Sequence, residues 1–132
     1  GDRLPSEVFL ERVLTCFIDD RFGVQSRARL NMDNVMWECD YPHSDSTWPF
    51  APEQLVEHFP GVDDHDVDRI THLNAMRHFS YDPFPLLGGR DACTVGGLRT
   101  RAMGHDVSIR STAPDTVGKH ATKAVDLAVP GR

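Results

Sequence analysis

Asp40, His43 and Asp45 fall within six positions of one another, directly after the apolar run Val35, Met36 and Trp37. A strand interior holds a lone ionised carboxylate only at high cost, whereas the C-terminal end of a strand opens onto the ligand crevice of α/β folds. A carboxylate at that place can ligate a divalent cation or exchange a proton with water. It can equally cap the loop by accepting backbone hydrogen bonds. Pro42 lacks a backbone donor and restricts Tyr41, so the ladder must stop and His43 to Asp45 must be loop. His43, three residues past Asp40, fits contact with substrate or orientation of the loop; a surface histidine fixed by Pro42 fits as well. Asp45, Ser46 and Thr47 have the side chains of an Asx or Ser/Thr turn, and Trp48 those of a residue packing the loop down.

Two strands must deliver these groups. Period-two alternation over residues 35–40 sets Met36, Glu38 and Asp40 on one face and Val35, Trp37 and Cys39 on the other. Glu38 then points inward one layer below Asp40 and calls for a basic partner. Cys39 points into the strand–helix layer as an inert thiol. The run from Val13 to Ile18 is nearly continuous in apolar residues, the pattern of a parallel strand buried on both faces, and it ends in Asp19 and Asp20. Either aspartate suits the pocket side, and capping of the next helix is the commoner use. The stretch from Gly23 to Met32 supplies a short return helix. Strands over 13–18 and 35–40 are thus expected to be parallel neighbours with a right-handed crossover.

Pro52 opens a helix running to about Phe59, with Leu55, Val56 and Phe59 on one stripe, and Pro60 with Gly61 ends it. Asp63 and Asp64 are N-cap candidates for a second helix over about 64–79, where Val67, Ile70, Leu73, Asn74 and Met76 or Arg77 recur at helical spacing. His65 and His72 stand about two turns apart there, too far to share one ion, and with His58 are expected to be solvated. Beyond Tyr81 the periodicity fades through Pro83, Pro85, Gly88 and Gly89, with one further helix over about 94–103. Residues 111–132 have the composition of a poorly ordered tail.

The string from Asp40 to Pro49 resembles the last barrel strand and following loop of the amidohydrolase superfamily. The likeness is to the amidohydrolase-related branch of aminocarboxymuconate-semialdehyde and resorcylate decarboxylases. Asn74, Ala75, Arg77 and Phe79 resemble the N-A-x-R-x-aromatic pattern of the helix after that strand. The resemblance covers residues 8–84, with a weaker likeness around 90–98. It implies an α/β fold, the last two strand–helix units of a (β/α)₈ TIM barrel with a C-terminal tail. It also implies that Asp40 reaches a catalytic divalent metal, zinc or alternatively manganese, and handles a proton, with His43 beside substrate. The substrates implied are small carboxylate or amide-like molecules, hydrolysed or decarboxylated without oxidation. The family's H-x-H strand has no counterpart here, so most metal ligands would lie outside this chain.

Size agrees with a part rather than a whole: the chain has 132 residues, and a complete barrel takes about 250. The first residue is Gly1, and a strand pattern follows almost at once, which reads as the C-terminal part of a longer enzyme that is inactive alone. The other reading is a non-catalytic remnant or interaction subunit that keeps the scaffold. Residues 1–84 hold 16 acidic and seven basic side chains, whereas residues 85–132 hold four and seven. The acidic unit carries the motif, and the mildly basic remainder is expected to be an irregular extension. The net charge of −6 argues against nucleic acid as a partner. Cys16, Cys39 and Cys93, without a C-x-x-C pair, and the lack of a leader or membrane run read as a reduced, cytoplasmic protein. The expected partners are a small-molecule substrate and either further copies in a homo-oligomer or the N-terminal part of the barrel, with no membrane.

Overall fold

Pro5 and Glu7 start a helix ahead of the first expected strand. In the computed structural model, which describes residues 2–43 and 45–106, helix α1 spans Pro5–Arg12. Proline is tolerated in the first turn, and the Glu7 carboxylate accepts the Leu4 N–H at 2.9 Å. The far end of α1 is tied to the chain ahead of the second strand: Asn31 and Asn34 donate through Nδ2 to the Leu10 carbonyl at 3.0 and 3.2 Å. These amides satisfy a carbonyl that the end of a helix leaves unpaired.

Strands β1 (Thr15–Phe17) and β2 (Val35–Trp37) pair in parallel, with Thr15 opposite Val35, Cys16 opposite Met36 and Phe17 opposite Trp37. Both are shorter than the expected 13–18 and 35–40. Between them lie α2 (Arg21–Ser26) and two 3₁₀ turns, Arg27–Arg29 and Met32–Asn34. Strand, helix and parallel strand follow in the expected order. Of the two aspartates after β1, Asp20 takes the capping role, accepting the Gly23 N–H at 2.8 Å. A Cβ on Gly23 would come within 2.6 Å of the other Asp20 oxygen, so a larger residue there would have to displace the capping carboxylate.

After the loop that follows β2 come α3 (Ala51–Leu55) and a 3₁₀ turn, Val56–His58. Gly61, at φ +77, makes the left-handed turn that reverses the chain. Asp63 then caps by accepting the His65 N–H at 2.9 Å. The expected 64–79 helix is one rod in three parts, α4 (Asp64–Asp68), a π-helical turn over Arg69–Leu73, and α5 (Asn74–Phe79). The wide turn changes the angular register, as such bulges do. Ile70 (1% exposed) and Asn74 (3%) face inward while Leu73, expected on the same stripe, is exposed. Ile70, Val24, Val35, Met36, Ala51 and Leu55 form the buried apolar core.

Further along, α6 (Phe84–Leu87), a 3₁₀ turn (Arg90–Cys93) and α7 (Val95–Arg101) complete the described elements. Helix α7 falls in the expected 94–103 range, with Thr94 as its cap, accepting from Gly97 N at 3.2 Å. Two arginines bind this region to the preceding unit: Arg90 donates to both Asp68 oxygens at 2.7 and 2.8 Å, and Arg99 to Glu53. The tail expected over 111–132 lies outside the described residues.

Much apolar surface stays uncovered. Leu4 at the cap of α1, Val8, Phe9 and Leu10 on it, then Val13 and Leu14, are all exposed, as are Phe22, Phe79 and Leu86. Helix α1 buries no residue, and among the described residues the sheet has only its two strands, which leaves their outer edges open. No described helix is long and apolar enough to cross a membrane.

Candidate functional site

The ladder reaches one residue past β2, where Glu38 N donates to the Phe17 carbonyl at 3.0 Å. Strand alternation therefore does not extend to Asp40, correcting its expected place on one face with Met36 and Glu38. Asp40 is placed by a turn instead. Its φ of +53 is left-handed, a region that aspartate and asparagine enter more readily than other non-glycine residues. Its carbonyl accepts His43 N–H at 2.8 Å, and its Oδ2 accepts from His43 Nδ1 at 2.9 Å. The turn thus couples the two expected site residues twice, through backbone and through side chain. The Asp40 side chain is 25% exposed and that of His43 72%. With Nδ1 directed at the carboxylate, the imidazole presents Nε2 outward.

The rest of the loop supports this turn. The Tyr41 and Trp48 rings stand 4.8 Å apart at 49°, and the bonds Tyr41–Pro42 and Trp48–Pro49 are both cis. Ser46 Oγ accepts Trp48 N–H at 3.2 Å, the expected Ser/Thr turn, and lies 3.5 Å from Cys39 Sγ. Thr47 is buried, and its hydroxyl has no partner among the described residues.

Glu38 differs from its expected setting. It is exposed, and its partner is Cys16, whose thiol donates to Oε1 at 3.1 Å. A carboxylate accepting the S–H favours the protonated thiol, and partial burial and the charges of Glu38 and Asp40 act in the same sense, so the Cys16 pKa is raised. Register explains the encounter: Cys16 lies opposite Met36, and Glu38 is two residues on, toward the end of the sheet where Asp40 lies.

Two of the three histidines expected to be solvated are not. The His58 side chain is 13% exposed and donates through Nε2 to Asp19 Oδ1 at 2.6 Å, bridging the loop after β1 to the turn after α3. His72 packs edge-on against Phe84, with centroids 5.6 Å apart. Thr71 gives its own hydrogen to the Val67 carbonyl at 2.8 Å and so accepts from His72 Nδ1 at 3.0 Å. His72 Nε2 is buried with no partner among the described residues. No sequence spacing marks either contact, because His58 and Asp19 are 39 positions apart.

Burial is the main cause of a lowered His72 pKa; Asp68 opposes it and Arg90 reinforces it. With the folded pKa below the ordinary value of 6.5, the unfolded chain takes up this proton first as pH falls. The His72 contribution is therefore complete above the unfolded pKa and is lost as pH drops below it. Urea unfolding midpoints should fall between about pH 7 and pH 5.5, and His72→Gln should flatten part of that slope. Parallel pH profiles for the two proteins would show that His72 is not responsible.

A cleft of about 510 Å³ lies elsewhere, walled by Trp37, Leu55, Phe59, Val67, His72 and Phe84 among others. Neither Asp40 nor His43 lines it. Among the described residues no three His, Cys, Asp or Glu side chains converge as a metal centre would require. The nearest imidazole directs Nδ1 at Asp40 itself. Compared with known proteins, the chain matches no protein-family profile and no curated protein.

Proposed function

We propose that this chain is the C-terminal part of a metal-dependent, amidohydrolase-related (β/α)₈ enzyme acting on a small carboxylate or amide-like substrate by hydrolysis or non-oxidative decarboxylation. The observation that carries the reading is the position of Asp40, just beyond the end of the second of two parallel strands, held by a left-handed turn against His43. That is where an α/β barrel keeps its reacting groups. The open sheet edges and the apolar surface of α1 are consistent with further strand–helix units covering them.

In this reading Asp40 accepts a proton from water or substrate and returns it to the leaving group or carbanion, and His43 orients the carboxylate. The divalent metal, zinc or manganese, would take Asp40 as one ligand and most others from outside this chain, since the ligands among the described residues are too few. The three cysteines are unpaired, which fits a reducing, cytoplasmic setting. A second reading, a non-catalytic interaction subunit that keeps the scaffold, draws on that same shortage of ligands and on the exposed face of α1. The upstream coding sequence separates the two. An in-frame continuation to an H-x-H strand supports the enzyme, and a start codon just ahead of Gly1 would refute it.

A further inference from the structure

Arg99 near the end of α7 grips a segment about half the described chain away in sequence. Its Nε donates to Glu53 Oε1 at 2.9 Å and its Nη2 to Glu53 Oε2 at 2.8 Å, the two-point fork that guanidinium makes with a carboxylate. Nη2 also donates to the Pro49 carbonyl, and the guanidinium carbon lies 5.2 Å from the centroid of the Phe50 ring. Burial of Glu53 would raise its pKa, but the hydrogen bonds from Arg99, one from the Glu53 backbone and the charge of Arg99 together outweigh this and leave it lowered. One side chain thereby fixes residues 49, 50 and 53. Pro49 follows Trp48, and Trp48 packs against Tyr41, the neighbour of Asp40. The upstream end of the loop is set by β2, and Arg99 sets the downstream end.

We infer that Arg99 is a positioning residue for the loop that carries Asp40 and His43, which makes α7 part of the candidate site and not of a separate tail. The contacts stand independently of the reaction; only the consequence for turnover rests on the function proposed above. Arg99 acts through Pro49, Phe50 and the Tyr41–Trp48 ring contact, and no hydrogen bond joins it to Asp40 among the described contacts.

The chain holds two tryptophans, so 5-fluorotryptophan labelling gives two ¹⁹F resonances, assigned by Trp48→Phe. Arg99→Ala should shift or broaden the Trp48 line and leave that of Trp37 in place. Arg99→Lys, which keeps the charge but not the fork, should fall between wild type and Arg99→Ala. An unmoved Trp48 line in folded Arg99→Ala overturns the proposal. If Arg99→Ala unfolds, so that both lines collapse to their denatured positions, Arg99→Lys is judged by the same criterion: Trp48 alone moving supports the proposal, and neither moving overturns it. In the full-length protein kcat should fall roughly tenfold with a smaller change in KM. A Trp48 response with unchanged kcat leaves the positioning role standing and counts against Asp40 as the proton carrier.

Discussion

Asp40→Asn in the full-length protein should lower turnover by about two orders of magnitude or more while leaving the melting temperature nearly unchanged, since removal of a general acid–base typically costs about 10²–10⁴ in rate. The amide is nearly isosteric, and asparagine tolerates the left-handed backbone that Asp40 adopts at φ +53. It can still accept from His43 Nδ1, now 2.9 Å from the carboxylate. What it cannot do is take up a proton, so geometry is kept and chemistry is lost. His43→Asn should cost less, because this mostly exposed ring orients Asp40 and does not replace it. Steady-state rates beside thermal melts read the difference. Near-normal turnover in Asp40→Asn would reduce Asp40 to a loop cap and remove the central residue of the proposed site.

The largest loss of stability from a single polar side chain is expected at Asn74. Its amide donates to the Met32 carbonyl at 2.7 Å and to the Val35 carbonyl at 2.8 Å, pinning α5 to the start of β2. Asn74→Ala leaves both carbonyls without that donor, in a place where Asn74 is 3% exposed. Each buried acceptor left unpaired costs about 1–3 kcal/mol, against a total of about 5–15 kcal/mol for an ordinary domain. The urea midpoint should drop steeply. Leu73→Ala, one residue earlier on the same rod, should cost far less because Leu73 is exposed. Equal losses at the two positions would mean that the π-helical turn does not set the register described here.

Asn74 also shows how far the sequence reaches. Helical spacing placed it on the inner face, and the structure buries it, but the same spacing put Leu73 beside it, and the π turn over Arg69–Leu73 rotated Leu73 out. Periodicity assumes a uniform helix and does not register one extra residue per turn. Asp40 is a similar case. Pro42 was expected to end the strand and alternation was extended to residue 40, whereas the ladder stops at Glu38 and the left-handed turn at Asp40 re-aims the carboxylate toward His43. Aspartate is only enriched in the left-handed region, so neither its type nor its spacing singled out residue 40.

Local chemistry was legible where its cause is local. Asp20 and Asp63 cap the helices they precede, Gly61 turns the chain, Ser46 makes its turn, and the apolar runs at 15–17 and 35–37 pair in parallel. These follow from backbone donors within a few residues and from short-range patterning, so the sequence by itself determined them. Tertiary structure alone decided which distant groups meet: Glu38 with Cys16, Asp19 with His58, Asp68 with Arg90, Glu53 with Arg99. Each joins residues more than 20 positions apart, and a charged side chain carries no record of which partner the folded chain will bring within about 3 Å of it. Arg99 was invisible as a site residue for that reason: its role depends on α7 folding back onto Pro49 and Glu53, which only packing specifies.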